Sequence, residues 1–291
     1  MGTIIDALNW LLRTPSDYLV SSKISLLFLL LKYWVRNSLI DHKFLSPAPT
    51  ERLLGYKINT GDYYCFFRVF IDVFIKSQYY FKTKVYKPNI LDLGSHIGIS
   101  ILYFKMLYPS SKIVAVEADK KTFKILKKNI EINNVKGVKL FNFAVSNKKS
   151  SATFYVDPKS TAKWSSTLSR YGGLPKSKEV KTNMASNLID EEVDFMKMDI
   201  EGSESIVIRE LVANGKLNKI KKLTIEYHKY LFDNSNHLDN LLKLLRLNGF
   251  VFTFNYFLRR RFVIMPAIDL TEKYGQSHNV LIYGIRKYLQ Q

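Results

Sequence analysis

The sequence predicts an α/β fold built on a mostly parallel sheet with crossover helices. From Ile90 onward, short β-rich runs alternate with helix-like segments, which is typical of consecutive β-α-β units. The runs KIVAV and LTIEY are almost continuously apolar, as expected for strands that are buried on both faces. Near the end of the chain, two strand-like runs follow each other with no helix between them. We therefore expect an antiparallel pair at the edge of the sheet.

The first forty residues precede this pattern and predict apolar helices over residues 4–40. Their most apolar run, Ile24 to Val35, is far shorter than the roughly 20 residues that span a bilayer. Flanking basic residues and a nearby Tyr-Trp pair suit a helix that lies on a membrane surface. Short apolar runs more often pack on the main domain or on a second copy of the chain, so we favour packing and keep both interpretations.

The domain division follows from composition. Two prolines within residues 46–50 mark a break in the chain. We divide the chain into a helical N-terminal extension, residues 1–85, and an α/β domain, residues 86–291.

The elements of the α/β domain are predicted in a regular order. A Ser-, Gly- and Lys-rich stretch at residues 158–178 indicates a long loop, and such loops are often functional in compact domains. The helices are expected to end near Tyr108, Asn133, Val212 and Leu247. The predicted strands are ILDLG, KIVAVEA, VKLFNFAV, SSATFYVD, VDFMKMDI, IKKLTIEYH, FVFTFNYF and NVLIYGIR.

Composition limits the kind of protein this can be. With 47% hydrophobic residues the chain can fill a core, which excludes global disorder. The net charge of +19 suggests a polyanionic partner such as nucleic acid, an anionic membrane or an acidic glycan. Solvated helix faces are the commoner cause of such charge, and five lysines have the spacing of one: Lys120, Lys121, Lys124, Lys127 and Lys128.

Two further observations concern location. The only cysteine is Cys65, which fits a reducing compartment, and no signal-peptide pattern is apparent. We expect a cytoplasmic protein, with peripheral association to the membrane left open.

The turn after the first strand of the α/β domain predicts a cofactor site. Ligands of doubly wound sheets bind at the carboxyl ends of the strands, and the first such end is the turn Asp92 to Gly98. Gly94 and Gly98 are four residues apart, which matches neither a dinucleotide fingerprint nor a P-loop. Asp92 would repel a pyrophosphate and attract an ammonium group. The cofactor is therefore expected to carry no phosphates.

Glu117 extends this prediction to a nucleoside. It ends the second strand, 19 residues after Gly98, where a carboxylate can accept hydrogen bonds from both ribose hydroxyls. A nucleoside with a positively charged tail and no phosphate describes S-adenosyl-L-methionine. A glycine corner with a capping carboxylate is the simpler structural alternative.

The segment VDFMKMDIEGSES predicts the reactive site. Lys197, Asp199, Glu201 and Glu204 crowd the end of one strand and the start of a helix. Acidic residues also cap helix N-termini, so part of this cluster can be structural. In TIEYH, Glu226 and His228 end the next strand and are two residues apart, so we expect both to point to one face.

Taken together, five motifs resemble the FkbM family of S-adenosylmethionine-dependent methyltransferases. They are ILDLGSHIGIS, VAVEAD with the helix that follows it, FNFAVSN, FMKMDIEGSE and TIEYH, and they cover roughly residues 88–286. The resemblance implies the seven-stranded, Rossmann-like class I methyltransferase sheet. It also implies O-methylation of a hydroxyl on a sugar, a glycan, a glycolipid or a similar small acceptor.

The resemblance assigns roles to most of the candidate residues. His96 departs from the family, which usually has Asn there. The turn residues Asp92, Gly94, Ser95, His96 and Gly98 would line the methionine end, Glu117 and Ala118 the ribose, Asn142 to Ala144 the adenine, and Lys197, Asp199, Glu201 and Glu204 the catalytic face.

We predict that Asp199 or His228 removes the hydroxyl proton while alignment of the reactants does most of the work. Lys197 and Glu201 complete the predicted catalytic set, and Asp199 also borders the cofactor. Asp199, Glu226 and His228 could hold a divalent metal if they converged, but a sequence cannot establish convergence, and we predict no metal.

Two other functions stay open. The net charge suggests an RNA ribose methyltransferase, although the chain lacks the motifs of amino-methylating enzymes, and Cys65 lies before the cofactor domain. A cofactor-binding, membrane-associated protein without catalysis is less favoured because Asp92, Glu117 and Asp199 are all present. Arg259 to Arg261 have two interpretations, which are contact with an anionic substrate or a lipid phosphate, and simple solubility.

Overall fold

The fold is described from a computed structural model for residues 2–46, 49–156, 176–229, 237–257 and 278–287. Arg259 to Arg261 and most of the predicted loop at residues 158–178 lie outside the described residues, as do two positions of the predicted break at 46–50.

The described residues contain seven α-helices and twelve strands. The helices are Gly2–Arg13 (α1), Lys23–Asp41 (α2), Tyr63–Phe70 (α3), Ile99–Leu107 (α4), Lys120–Ile132 (α5), Glu204–Ala213 (α6) and Leu238–Leu247 (α7). A π-helical segment, Ile71–Ile75, continues α3. The strands are Thr50–Leu53 (β1), Tyr56–Asn59 (β2), Asn89–Leu93 (β3), Lys112–Val116 (β4), Val138–Phe141 (β5), Ala144–Ser146 (β6), Ser150–Val156 (β7), Lys176–Met184 (β8), Phe195–Met198 (β9), Lys222–Lys229 (β10), Phe250–Phe257 (β11) and His278–Arg286 (β12).

The central sheet has seven strands in the order β11-β12-β10-β9-β3-β4-β5. The contacts from β10 through β5 are parallel, and β12 runs antiparallel to both of its neighbours. This confirms the predicted α/β class, including the antiparallel pair at the C-terminal edge. The strand order reverses between β3 and β9, so the carboxyl ends of these two strands form the expected ligand crevice.

A second, three-stranded sheet has the order β6-β8-β7, and it corrects two predictions. The run VKLFNFAV is not one strand, because it divides at residues 142–143 into β5 of the central sheet and β6 of the small one. Residues 176–178 are the start of β8 rather than the end of a loop. Few apolar residues mark β8, since most of its side chains keep contact with solvent.

The N-terminal residues pack on the α/β domain. One apolar cluster joins α1, α2 and α3 to α4, to α5 and to Phe195 of β9. Phe81 stacks on Phe195 with the ring centroids 4.3 Å apart, and Tyr33 meets Phe66 and Phe70 edge to face. The hairpin β1–β2 and the helix α3 were not predicted. The domain boundary near residue 85 stays a prediction, and the apolar cluster crosses it.

The outer face of α2 remains exposed. Ile24, Phe28, Leu31 and Val35 follow each other at helical spacing and are between 43% and 81% exposed. Among the helices in the described ranges, none combines the length and the apolarity that a membrane span requires.

The lysine-rich face of α5 is solvated, as predicted. All five of its lysines are exposed, whereas Leu126 and Ile130 on the opposite face are buried. This helix therefore accounts for part of the net charge without a polyanionic partner.

Candidate active site

The turn after β3 is held against the end of β9. Gly94 has a φ of +84°, and a Cβ at this position would overlap the main-chain carbonyl oxygen of Asp199. Gly98 has a φ of +92°, and its Cβ would lie 2.7 Å from Cδ1 of Leu126 on α5. Both glycines are thus required by the protein's own packing. The contact at Gly94 also places the predicted cofactor turn directly beside the predicted catalytic strand end.

Glu117 lies at the end of β4 and faces the same turn. Its Oε2 accepts a hydrogen bond from the backbone N–H of His96 at 2.9 Å, and its Oε1 accepts one from that of Asp119 at 2.8 Å. A carboxylate has about four acceptor positions, so these two bonds leave capacity for a diol. Burial raises the pKa of Glu117 to about 7.

The other predicted cofactor residues brace this half of the site. The amide of Asn142 donates to the carbonyl oxygens of Glu117 and Ala118, at 2.8 and 3.1 Å. The hydroxyl of Ser95 donates back to the carbonyl of Asp92, and both Ser95 and Ala144 are buried. These side chains fix the shape of the crevice, and their contacts with a cofactor stay a prediction.

Asp92 is a buried partner of another side chain. It has no exposed surface and accepts a 2.6 Å hydrogen bond from the hydroxyl of Ser100. Its Oδ1 lies 3.5 Å from Nζ of Lys197, which is its direct neighbour on β9. The ammonium of Lys197 therefore already supplies a cation beside Asp92. The contact of Asp92 with an ammonium group of the cofactor stays a prediction.

Lys197 links the two halves of the site. Its ammonium donates to the carbonyl oxygen of Gly94 and lies 3.6 Å from Oδ2 of Asp199. Burial lowers the pKa of Lys197, but the carboxylates of Asp92 and Asp199 outweigh that effect and raise it above its ordinary value. The side chain therefore stays charged and ties the cofactor turn to the end of β9.

The two oxygens of the Asp199 carboxylate face different partners. Oδ1 lies 3.9 Å from Nε2 of His228, and Oδ2 faces Lys197 and, at 3.5 Å, the hydroxyl of Tyr79. About a quarter of the Asp199 side chain is exposed, so an acceptor can reach it. Tyr79 was not predicted as a site residue, because its contact with Asp199 bridges 120 positions of sequence.

His228 lies among carboxylates from α6, from the turn before α6 and from its own strand β10. Its Nδ1 is 3.1 Å from Oε1 of Glu204, while its Nε2 is 3.5 Å from Glu201 and 3.6 Å from Glu226. Burial alone lowers the pKa of His228, but Glu201, Glu204 and Glu226 together raise it well above its ordinary value. The expectation that Glu226 and His228 share a face is confirmed by their contact.

Glu201 and Glu204 differ in backbone conformation and in burial. Glu201 has a φ of +53°, unusual for a residue other than glycine, and burial raises its pKa to about 8. Glu204 is fully buried and accepts from the backbone N–H of Gly202 as well as facing His228. Glu204 therefore acts as more than a cap of α6, and it positions the imidazole.

The sequence can now be compared with known proteins. Residues 92–252, more than half of the chain, match the methyltransferase FkbM domain family. The chain belongs to the FkbM methyltransferase family. The family predicted from the motifs is confirmed, and the matched FkbM domain runs from Asp92 through the acidic cluster of β9 and β10 to the edge strand β11.

The relatives of this FkbM chain include named methyltransferases. Methyltransferase 1 of Beauveria bassiana is 27% identical over 42% of this chain and 57% of its own length. Methyltransferase sdnD of Sordaria araneosa is 24% identical over 48% of this chain and 67% of its own length. A crystal structure of methyltransferase FkbM from Methylobacillus flagellatus is 13% identical, with a TM-score of 0.46 over 76% of this chain and 54% of that chain. The chain thus spans little more than half the length of the first of these relatives.

Proposed function

We propose that this FkbM-family chain transfers a methyl group from S-adenosyl-L-methionine to a hydroxyl oxygen of a sugar, glycan, glycolipid or similar small acceptor. One observation carries the proposal, which is the contact between Gly94 and the main chain of Asp199. This contact places the turn predicted to bind a nucleoside, Gly94 to Gly98, beside the partly exposed carboxylate of Asp199. Both lie at the switch point of the sheet, where doubly wound folds bind their ligands.

The residues of the β3–β4 side fit this cofactor. S-adenosyl-L-methionine supplies, when bound, an activated methyl group on a sulfonium. The Glu117 carboxylate is fixed by two backbone N–H groups and keeps acceptor capacity for the ribose hydroxyls. The crevice beside it is bordered by the turn of Gly94 to Gly98 and by the Asn142 brace. A cofactor without phosphates also suits this side of the site, because the carboxylates of Asp92 and Glu117 would repel a phosphate group.

The residues of the β9–β10 side fit removal of the acceptor's proton. When the acceptor oxygen takes the activated methyl group, Asp199 would accept the hydroxyl proton that this oxygen gives up. Asp199 is the better base of the two. The carboxylates around His228 raise the pKa of its imidazole, and a protonated imidazole has no lone pair with which to accept a proton. Lys197 and Tyr79 hold the Asp199 carboxylate in position.

Calorimetric titration with S-adenosylhomocysteine, followed by a methyl-transfer screen over sugars, glycans, glycolipids and RNA, tests the proposal. We expect binding at micromolar cofactor and transfer to a hydroxyl of a small acceptor. Transfer to RNA with a steep salt dependence would replace the proposal with ribose methylation. Binding without any transfer would favour a non-catalytic role, and the absence of binding would overturn the cofactor assignment.

We also propose that the exposed face of α2 contacts an anionic membrane at its surface. Ile24, Phe28, Leu31 and Val35 form an apolar stripe on a chain whose net charge is +19. Such a contact would bring the site to a glycolipid acceptor.

Co-sedimentation with vesicles that contain phosphatidylserine tests this contact. We expect Phe28→Glu to abolish binding and Leu247→Glu, at an equally exposed apolar position on α7, to leave it unchanged. Equal binding of both variants, or a Phe28-dependent dimer in light scattering with no vesicle binding, would contradict the proposal.

A further inference from the structure

The end of the site on β9 and β10 contains three side chains that converge on one point. One oxygen of Asp199, one oxygen of Glu226 and one nitrogen of His228 all lie within 4.8 Å of one another. Nε2 of His228 is 3.6 Å from Oε1 of Glu226 and 3.9 Å from Oδ1 of Asp199. Ligand atoms that share an ion at about 2.1 Å lie about 3.0–3.4 Å apart. The imidazole would therefore approach each carboxylate by a few tenths of an ångström, and the widest separation in the set, at most 4.8 Å, would shrink by up to about 1.4 Å.

Asp199 and His228 each contact a further partner through the atom that faces away from the other two ligands. Asp199 directs Oδ1 to the imidazole, while its Oδ2 is held by Lys197 and Tyr79. His228 directs Nε2 to the carboxylates, while its Nδ1 faces the fully buried Glu204. Metal-binding histidines almost always have such a carboxylate or carbonyl partner on the other ring nitrogen, which fixes the tautomer and the ring orientation.

Charge at the site also favours a bound cation. Among the residues that the structure describes, the carboxylates of Asp92, Asp199, Glu204 and Glu226 outnumber the basic groups beside them, which are the ammonium of Lys197 and the imidazole of His228. A divalent ion would neutralise more of this excess than one proton on His228 can.

The convergence of these side chains reverses the expectation of no metal, and we infer that Asp199, Glu226 and His228 form a binding site for a divalent cation. Two carboxylate oxygens with one imidazole nitrogen suit a first-row ion such as Mn²⁺. Binding through Nε2 would displace the proton that the surrounding carboxylates otherwise favour on His228. Three protein ligands leave coordination positions open for the acceptor's hydroxyl oxygen, which the ion would orient and make more acidic. Asp199 would bind the ion through Oδ1, and its other oxygen, Oδ2, would take the hydroxyl proton. This chemical role rests on the proposed function, whereas the binding of the ion does not.

Titration of the full chain with Mn²⁺, followed by electron paramagnetic resonance and calorimetry, tests the inference. We expect the wild type, after treatment with a chelator, to bind one Mn²⁺ per chain. Glu226→Gln and Asp199→Asn should each weaken binding at least tenfold, and Glu204→Gln by about 10–100-fold through the orientation of His228. Glu192→Gln is the matched control, because Glu192 is an exposed carboxylate near the opposite end of β9 and should change nothing.

Titration with S-adenosylhomocysteine on the same samples serves as the measure of an intact site. A wild type that binds S-adenosylhomocysteine and takes up no Mn²⁺ would overturn the metal site and leave the proposed function standing. Mn²⁺ binding that Glu226→Gln and Asp199→Asn do not weaken would overturn it as well. Uptake of Mn²⁺ at these residues without cofactor binding would support the metal site and contradict the proposed function.

Discussion

The carboxylates on the two sides of the switch point are held in different ways. On the β3–β4 side, Glu117 accepts hydrogen bonds from two backbone N–H groups, at 2.9 and 2.8 Å. On the β9–β10 side, Asp199 and Glu226 face charged side chains at 3.6–3.9 Å. Backbone amides keep their dipoles fixed, whereas Lys197 and His228 carry protons and can move.

This difference separates two tasks. A carboxylate fixed by the backbone is suited to recognising one arrangement of hydroxyl donors with little reorganisation. A carboxylate among ionisable side chains can exchange protons or cations as a reaction proceeds. We therefore propose that the Glu117 side recognises the cofactor and that the Asp199 side performs the chemistry, with Gly94 and Lys197 as the link between them.

The largest loss of cofactor binding and methyl transfer is expected from a change at Gly94, where the two sides of the site touch. Gly94→Ala places a Cβ on the carbonyl oxygen of Asp199 at a φ of +84°, so both the turn and the end of β9 must move. We expect S-adenosylhomocysteine binding and methyl transfer to fall together by more than 100-fold, measured by calorimetry and by product formation. Gly55→Ala is the matched control, since Gly55 has a φ of +92° with no atom within 4 Å of its Cβ. Equal losses in the two variants would show that backbone strain alone is responsible.

A change at Asp199 should separate the two tasks. Asp199→Asn removes the proposed base but keeps its shape, so turnover should fall by about 10²–10⁴-fold. The affinity for S-adenosylhomocysteine should stay within about threefold of the wild type. Unchanged turnover would contradict the role of Asp199, and a parallel loss of affinity would contradict the separation.

The reciprocal change is at Glu117. Glu117→Gln replaces a charged acceptor of the proposed ribose hydrogen bonds, which are worth about 1.5–3 kcal/mol each. We expect affinity for S-adenosylhomocysteine to fall by about 10–100-fold, with turnover at saturating cofactor nearly unchanged. Retention of wild-type affinity would place the nucleoside elsewhere.

The pH dependence of cofactor binding tests the same residue. Because burial raises the pKa of Glu117 to about 7, this group is mostly ionised at pH 8 and mostly protonated at pH 6. If the ionised form binds, the affinity for S-adenosylhomocysteine should fall by about tenfold between pH 8 and pH 6, in proportion to the ionised fraction. The Glu117→Gln variant should bind S-adenosylhomocysteine weakly at both pH values. An equally steep pH dependence of affinity in that variant would show that another group causes it.

The smallest effect is expected at Tyr79. Its hydroxyl lies 3.5 Å from Asp199, a long contact whose loss removes little orienting energy. We expect Tyr79→Phe to lower turnover by about threefold to tenfold with unchanged cofactor affinity and thermal stability. A drop as large as that of Asp199→Asn would make Tyr79 a participant in proton transfer.

The sequence predicts the parts of this site that depend on strand ends. Asp199 and Glu117 follow mostly apolar runs that are typical of buried strands, and parallel strands bring their carboxyl ends to one edge. The FkbM motifs add the family, which the domain match confirms. The lysine face of α5 is also predictable, because helical spacing alone decides it.

The parts that depend on register and long-range packing could not be predicted. The pairing of Asp92 with Lys197 requires the alignment of β3 and β9, which a sequence does not specify. Tyr79 reaches Asp199 from a segment with no spacing signal, and the mostly polar β8 was interpreted in part as a loop. Convergence of Asp199, Glu226 and His228 within 4.8 Å is likewise a property of the folded chain.

The most direct test of this account is a crystal structure of the chain with S-adenosylhomocysteine bound. We predict that both ribose hydroxyls lie within hydrogen-bonding distance of the Glu117 carboxylate, about 2.5–3.0 Å, and that the sulfur points to the end of β9 at Asp199. A nucleoside that makes no contact with Glu117, or a sulfur directed away from Asp199, would contradict the division of the site into a recognition side and a chemical side.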